Sequence, residues 1–254
     1  MSVDDIKGKV ITNRAIVSGF YLLRVRLAKP MGTFKPGQFV MLKIPGNDIF
    51  LRRPFSIYAY GKNVLSILYK VVGKGTGYLG RVRKDQEVYV LGPLGNGFRI
   101  VKRDTYAIVA GGIGIAGVHS LIKTLKSKAV VFYGCTNKDE VALVNDLLHY
   151  KPEIATIDGS SGFRGNVVDL LKKQWGSIQS TSIEVFACGP DGMVKSLRAF
   201  LKKRGTACQV LVEERMACGL GLCFGCVKKT PDEKEPYKRV CKEGPVFNLW
   251  EIYL

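Results

Sequence analysis

Four cysteines, Cys218, Cys223, Cys226 and Cys241, fall in the pattern C-x4-C-x2-C with the fourth further downstream. Thiolates at that spacing close a loop around a plant-type 2Fe–2S cluster. Gly219, Gly221 and Gly225 lie among them, where the lack of a Cβ lets backbone N–H groups approach the cluster sulfurs. A segment built this way is committed to carrying electrons, and it leaves no room for an ordinary helix or strand. A four-Cys zinc site is the competing reading, although zinc ribbons commonly pair two C-x2-C units and only Cys223 and Cys226 make one here. A disulfide framework does not suit a chain of this length that opens without an apolar leader. Cys135, Cys188 and Cys208 stand singly.

With 254 residues, 46% of them hydrophobic, the chain has material for two domains and a small appendage. No apolar run approaches the roughly twenty residues that span a bilayer, so a cytoplasmic location with no membrane partner is expected. Free thiols agree with a reducing compartment. The formal net charge of +18 raises the question of a nucleic-acid partner. Lys and Arg are spread along the whole chain, however, and the longest cluster, Lys202-Lys203-Arg204, runs into Gly205 as the end of a helix does. The expectation is a solvated basic surface with no nucleic acid bound, its charge partly offset by anionic cofactors.

Residues 1–101 read as short strands, among them Tyr21–Leu27, Gln38–Ile44, Leu65–Val72 and Glu87–Leu91, separated by turn signals such as Lys35-Pro36-Gly37. Regular short strands predict a small antiparallel barrel. In residues 102–211 the grammar changes to strand, glycine turn and helix. Tyr106–Ala110 runs into Gly111-Gly112, Ala129–Tyr133 into Gly134, and Ile183–Ala187 into Cys188-Gly189-Pro190. That alternation predicts a parallel sheet. Residues 212–254 carry the Cys run and a polar loop, Thr230–Pro236. The expected class is a multi-domain α+β chain: an N-terminal antiparallel β-barrel, an α/β parallel-sheet domain and a small C-terminal 2Fe–2S domain.

Gly112-Ile113-Gly114-Ile115-Ala116-Gly117 fits G-x-G-x-x-G between an apolar strand and a helical stretch, where free N–H groups and the helix dipole favour a phosphate. The acidic residue that usually follows about twenty positions on is missing where Tyr133-Gly134-Cys135-Thr136 stands. The expectation is a nucleotide at this turn, with Cys188-Gly189-Pro190 beside it, because open α/β sheets bind ligands beyond the carboxyl ends of their strands. A purely structural turn is the alternative. In the barrel, Arg52–Ser56 and Gly73–Gly77 are candidates for holding a second phosphorylated cofactor.

In chain order, Arg53-Pro54-Phe55-Ser56, Gly75-Thr76, Gly92–Gly97, Gly111–Gly114, Cys188-Gly189-Pro190 and the Cys run resemble the ferredoxin reductase superfamily. Glu213–Gly219, Cys223, Cys226 and Arg239–Phe247 are similar, more narrowly, to the electron-transfer subunits of type B dihydroorotate dehydrogenases, and the likeness covers essentially the full length. The resemblance implies FAD lined by Arg53, Pro54, Phe55 and Ser56, with Ser56 near the redox-active ring nitrogen. Tyr69, Lys70 and Val71 would run along the flavin, and Gly75 and Thr76 would bind its pyrophosphate. NAD would place its pyrophosphate at Gly112 and Gly114 and its nicotinamide near Cys188 and Gly189. The cluster ligands would be Cys218, Cys223, Cys226 and Cys241, and the partner an FMN-containing dihydroorotate dehydrogenase catalytic subunit, in a heterotetramer serving pyrimidine biosynthesis.

A nicotinamide exchanges two electrons as hydride and a cluster passes one at a time, so a flavin must stand between them. The implied oxidoreductase relay runs from the partner's flavin through the cluster and FAD to NAD, and it asks no catalytic acid or base of this chain. His119 and His149 fall in predicted helices as structural residues. Small subunits of NADH-dependent ferredoxin:NADP transhydrogenases and of sulfide dehydrogenases share the layout, but there an Asp is expected as first cluster ligand, and Cys218 stands here. A zinc-stabilised nucleic-acid-binding module is the distant alternative.

Overall fold

The computed structural model of the chain describes residues 4–46, 49–178 and 182–254. The first part contains β1 (Asp4–Val17), β2 (Phe20–Leu27), β3 (Phe39–Lys43), β4 (Arg53–Ser56), β5 (Ala59–Gly61), β6 (Val64–Lys70), the short helix α1 (Lys74–Leu79) and β7 (Glu87–Leu94). Its strands make one antiparallel sheet in the order β4-β3-β7-β1-β2-β6-β5. In β2, buried Leu23, Val25 and Leu27 alternate with exposed Arg24 and Arg26, so one face of the pleat turns to the barrel core. The sheet rolls up until β4 meets β6, where the rings of Phe55 and Tyr69 touch edge to face at 5.7 Å. β4 escapes a sequence reading because Pro54 argues against a strand, and Pro is tolerated there because β4 is an edge.

The second part runs β8 (Thr105–Gly111), α2 (Ile115–Leu125), β9 (Ala129–Cys135), a 3-10 segment (Lys138–Tyr150), β10 (Glu153–Thr156), β11 (Phe163–Arg164), α3 (Val167–Ile178), β12 (Ile183–Cys188), α4 (Asp191–Lys202) and β13 (Ala207–Leu211). The sheet order is β11-β10-β9-β8-β12-β13, all parallel, so the winding reverses between β8 and β12. β8 is buried from Tyr106 to Gly111, as a central parallel strand must be. One face of the sheet is covered by α3 and α4, the other by α2 and the 3-10 segment. α2 is apolar and buried on nearly every side because the barrel residues Phe20, Tyr58 and Leu68 close over it. His149 lies in the 3-10 segment where an α-helix is expected, whereas His119 lies in α2.

The tail adds a hairpin of β14 (Val227–Lys229) and β15 (Tyr237–Arg239) and then returns to the sheet, where β16 (Val246–Asn248) pairs antiparallel with β13. Leu249 and Ile252 join the same apolar core as α3 and α4. Among the described residues no helix is long and apolar enough to cross a membrane.

Candidate functional site

A cavity of about 280 Å³ opens where the barrel meets the parallel sheet. Arg53, Pro54, Phe55 and Ser56 of β4, Tyr69 and Lys70 of β6, and Thr76 of α1 all line it, so the structure brings together most of the residues expected at a flavin. Val71 is not on its wall; its backbone N–H is tied to Gly19 O at 2.8 Å. Gly75 sits directly under Arg53, and a Cβ there would come within 2.5 Å of the guanidinium Nε. The glycine thus lets a cation rest on the start of α1, a suitable place for a phosphate oxygen. Thr76 Oγ1 takes the N–H groups of Val72 and Gly73 at 2.9 and 3.2 Å and fixes the loop.

A second cavity, of about 420 Å³, lies at the carboxyl ends of β8, β9 and β12, where the winding order reverses. Gly112, Gly114 and Gly189 line it. Gly112 has φ +52° with open space around its Cα, which leaves its peptide free to face a ligand. A Cβ at Gly114 would overlap the carbonyl oxygen of Cys188, so this glycine is what allows α2 to start against β12. No side chain caps the 3-10 turn Gly112–Gly114 that leads into α2, and the Ile115 N–H is taken by Gly112 O, so an anion would meet the turn itself. Cys188 is 1% exposed and stands behind the wall, its Sγ 3.0 Å from where a Cβ at Gly117 would be. The burial of that thiol, with Glu213 nearby, raises its pKa well above the usual value.

Two acidic residues at these cavities carry no role in the sequence reading. Glu140, half-buried, lines the second cavity, and its Oε2 accepts a hydrogen bond from the Thr136 N–H. The acid missing from the end of β9 is therefore supplied by the next segment, folded back under the Asn137 cap, whose Oδ1 takes the N–H groups of Asp139 and Glu140. The pattern Asn137-x-x-Glu140 is the signal that points to it. Glu213 follows β13 and lines both cavities, as do Lys70 and Ile113. Desolvation by the two cavity walls raises its carboxyl pKa above the usual range, although the residue keeps an exposed side.

The four cluster cysteines gather beside the first cavity. Cys218 neighbours Cys223, and the Cys241 N–H donates to Cys226 Sγ at 3.4 Å. Among the described residues no three of His, Cys, Asp or Glu close around a single ion position. Four thiols at this spacing suit a plant-type 2Fe–2S cluster. Backbone donors are aimed at sulfur: Gly221 N–H at Cys241 Sγ, 3.1 Å, and Leu220 N–H at Cys218 Sγ, 3.4 Å. Burial alone would raise the Cys218 thiol, but the N–H groups of Leu220, Cys223 and Leu222 overcome it and bring the pKa down to about 6. Burial and the bond to Cys226 push Cys241 up to about 12. Arg239 braces the loop, donating to Gly221 O at 2.8 Å while paired with Glu243. Met216, Glu214 and Pro245, all from the tail, form part of the first cavity's wall.

Residues 213–253 match the family model of the iron-sulfur cluster binding domain of dihydroorotate dehydrogenase B. Over 251 residues the chain is 36% identical to a protein of Caldanaerobacter subterraneus subsp. tengcongensis named dihydroorotate dehydrogenase B (NAD(+)), electron transfer subunit, covering 97% of this chain and 98% of that one. A protein of the same name from Clostridium perfringens is 36% identical, with 99% of each chain covered. Among solved structures, the NADH-dependent reduced ferredoxin-NADP oxidoreductase superposes with a TM-score of 0.83 at 24% identity, over 97% of this chain and 89% of that one. A ferredoxin NADP+ reductase from Neisseria gonorrhoeae with bound FAD and NADP gives 0.66 at 18%, over 82% and 93%. At these identities the structural likeness establishes the fold, and the sequence relatives establish kinship.

Proposed function

The chain belongs to the family of dihydroorotate dehydrogenase B electron transfer subunits, and on that premise we propose that it carries electrons from the FMN of a separate catalytic subunit to NAD in pyrimidine biosynthesis. When bound, FAD, the 2Fe–2S cluster and NAD supply the exchange between single electrons and hydride. The chain's own residues set the order of that exchange. The observation that carries the reading is the nesting of the three sites: the flavin cavity shares Lys70, Ile113 and Glu213 with the nucleotide cavity, and Met216 and Pro245 with the cluster-bearing tail.

Each site does a definable job. Arg53, beside Gly75 and Thr76, meets the FAD pyrophosphate, while Tyr69, Phe55 and Ser56 present a flat, mostly apolar slot to the flavin ring. Gly112 and Gly114, in the turn that leads into α2, meet the NAD pyrophosphate, and Gly189 keeps the end of β12 clear for the nicotinamide. Glu213 and Lys70 place opposite charges at the seam where the two rings meet. Cys218, Cys223, Cys226 and Cys241 would hold the 2Fe–2S cluster. Leu220, Leu222 and Phe224 are exposed on the cluster loop, Leu222 by 77%, and form an apolar crown on which the catalytic subunit docks to complete a heterotetramer. Seven free thiols suit a reducing cytoplasm.

The test is an ultraviolet-visible spectrum under argon before and after NADH, with iron and flavin assayed on the same sample. Flavin and iron-sulfur bands that bleach with NADH are expected. A colourless protein with stoichiometric zinc would overturn the relay.

A further inference from the structure

Away from both cavities, one fully buried polar side chain joins the barrel to the parallel-sheet part. His119, in the second turn of α2, is 0% exposed. Its Nδ1 lies 2.9 Å from the backbone carbonyl oxygen of Tyr58 and its Nε2 lies 2.7 Å from Oδ2 of Asp146. A carbonyl and a carboxylate accept, so each ring nitrogen faces an acceptor. Tyr58 stacks on it with ring centroids 3.6 Å apart and planes 16° apart, and the Tyr58 hydroxyl donates to Oδ1 of Asp146 at 2.8 Å. Lys123 also faces Asp146 Oδ2, at 3.4 Å, with both side chains 45% exposed. Burial would raise the Asp146 carboxyl, but the bonds from His119 and Tyr58 and the charge of Lys123 hold it well below the usual carboxylate range.

We infer that the Tyr58–His119–Asp146 clamp is the positioning device that fixes the nucleotide half of the molecule against the flavin half, and so sets the distance over which hydride passes. The inference rests on the cofactor assignment above. Its force comes from where the clamp is attached. Tyr58 lies two residues beyond Ser56, which lines the flavin cavity, and is anchored in the barrel by its N–H to Ser66 O at 3.1 Å. His119 lies one helical turn beyond Ala116, which lines the same cavity, on the helix that starts at the glycine turn of the nucleotide cavity. Asp146 comes from the 3-10 segment that follows β9 and begins beside Glu140. Three elements that each form a wall of a cofactor site are thus held by one buried ring. A hydrogen-bonded network anchored on a buried side chain fixes geometry more firmly than apolar packing alone, which can slide. A shift of about 1 Å between reacting groups can lower a rate by roughly a hundred-fold.

The test uses the FAD-loaded protein under argon and compares wild type with His119→Gln, Asp146→Asn and Tyr58→Phe. Stopped-flow mixing with NADH gives the limiting rate of flavin reduction and the NADH Kd separately. The limiting rate is expected to fall at least ten-fold in His119→Gln and Asp146→Asn, and less in Tyr58→Phe, with FAD content retained and NADH Kd within two-fold. Nitrogen-15 spectra of wild type should show both ring nitrogens of His119 engaged in hydrogen bonds, with or without flavin. Limiting rates within two-fold of wild type, with effects confined to the unfolding midpoint, overturn the inference. So does a higher NADH Kd at an unchanged limiting rate, or a His119 ring nitrogen with no hydrogen bond. Should His119→Gln fail to hold flavin, Tyr58→Phe decides by the same rate, since it removes a single hydroxyl. A wild-type flavin that NADH does not reduce overturns the cofactor assignment, and this inference with it.

Discussion

Glu140 Oε2 accepts a hydrogen bond from the N–H of Thr136 at 3.0 Å, which carries a carboxylate back to the end of β9. In parallel-sheet nucleotide sites an acid at this place binds the adenosine ribose, and a 2′-phosphate would meet it as a like charge. The wild-type protein is expected to use NADH well ahead of NADPH. Glu140→Gln should narrow the ratio of kcat/KM values by roughly ten-fold, the worth of one charge-assisted hydrogen bond. Steady-state dye reduction with each nucleotide measures it; an unchanged ratio would remove Glu140 from nucleotide selection.

Gly75 and Arg53 make a second test. A methyl group at Gly75 would lie 2.5 Å from Arg53 Nε and must push the guanidinium off the start of α1. Gly75→Ala is expected to weaken FAD binding by roughly ten-fold, the loss of a charge-assisted contact to phosphate, while the unfolding midpoint of the flavin-free protein stays near wild type. Flavin retained as tightly as before would show that Arg53 does not meet the phosphate.

Glu213 sets a pH dependence. Desolvation at the junction of the two cavities raises its carboxyl pKa in the folded chain, although the residue keeps an exposed side, so this group opposes folding once it ionises. Its contribution is neutral below the ordinary Glu value near 4.5, becomes unfavourable as pH rises from there to the folded value, and is constant above it. Glu213→Gln should therefore match wild type in urea midpoint at acid pH, exceed it as pH rises above that value, and then keep a constant lead. The same substitution is expected to slow NADH-driven flavin reduction by roughly ten-fold or more, because it removes a charge from the seam. A midpoint difference that is the same at acid and neutral pH would contradict the desolvated-carboxylate account.

Cys223 separates the two ends of the relay. Cys223→Ser breaks the pair with Cys218, so iron content and transfer to the catalytic subunit should be lost, while NADH-driven dye reduction through FAD persists. Loss of dye reduction with FAD still bound would reverse the order of the sites.

Patterns confined to one element were legible in the chain. The alternation of Leu23, Val25 and Leu27, the apolar run of β8 and the Cys spacing all announce themselves within ten residues or so. What escaped was set by contacts between segments distant in sequence. Glu140 reaches the nucleotide cavity only because a 3-10 segment folds back on β9. Glu213 matters only because two cavities meet at it, and Pro54 hides an edge strand. Val246–Asn248 shows no local sign that it adds to a sheet begun at Thr105. His119 was legible as a structural helix residue, but its partners Tyr58 and Asp146 lie on elements that only the fold brings together.

The return of the tail to β13 also reaches beyond the tail itself. The Asn96 N–H of the barrel donates to Gly244 O at 2.6 Å, and the Val212 N–H to Pro245 O at 2.9 Å, so the segment after Cys241 is stitched to both halves of the molecule. Met216 and Pro245 on either side of the thiols complete the flavin wall. The tail is thus a strut for both halves as well as the seat of the conductor. A cell short of iron would cut the wire while the flavin wall still stood, and the subunit would spill its reducing equivalents onto stray oxidants instead of falling silent.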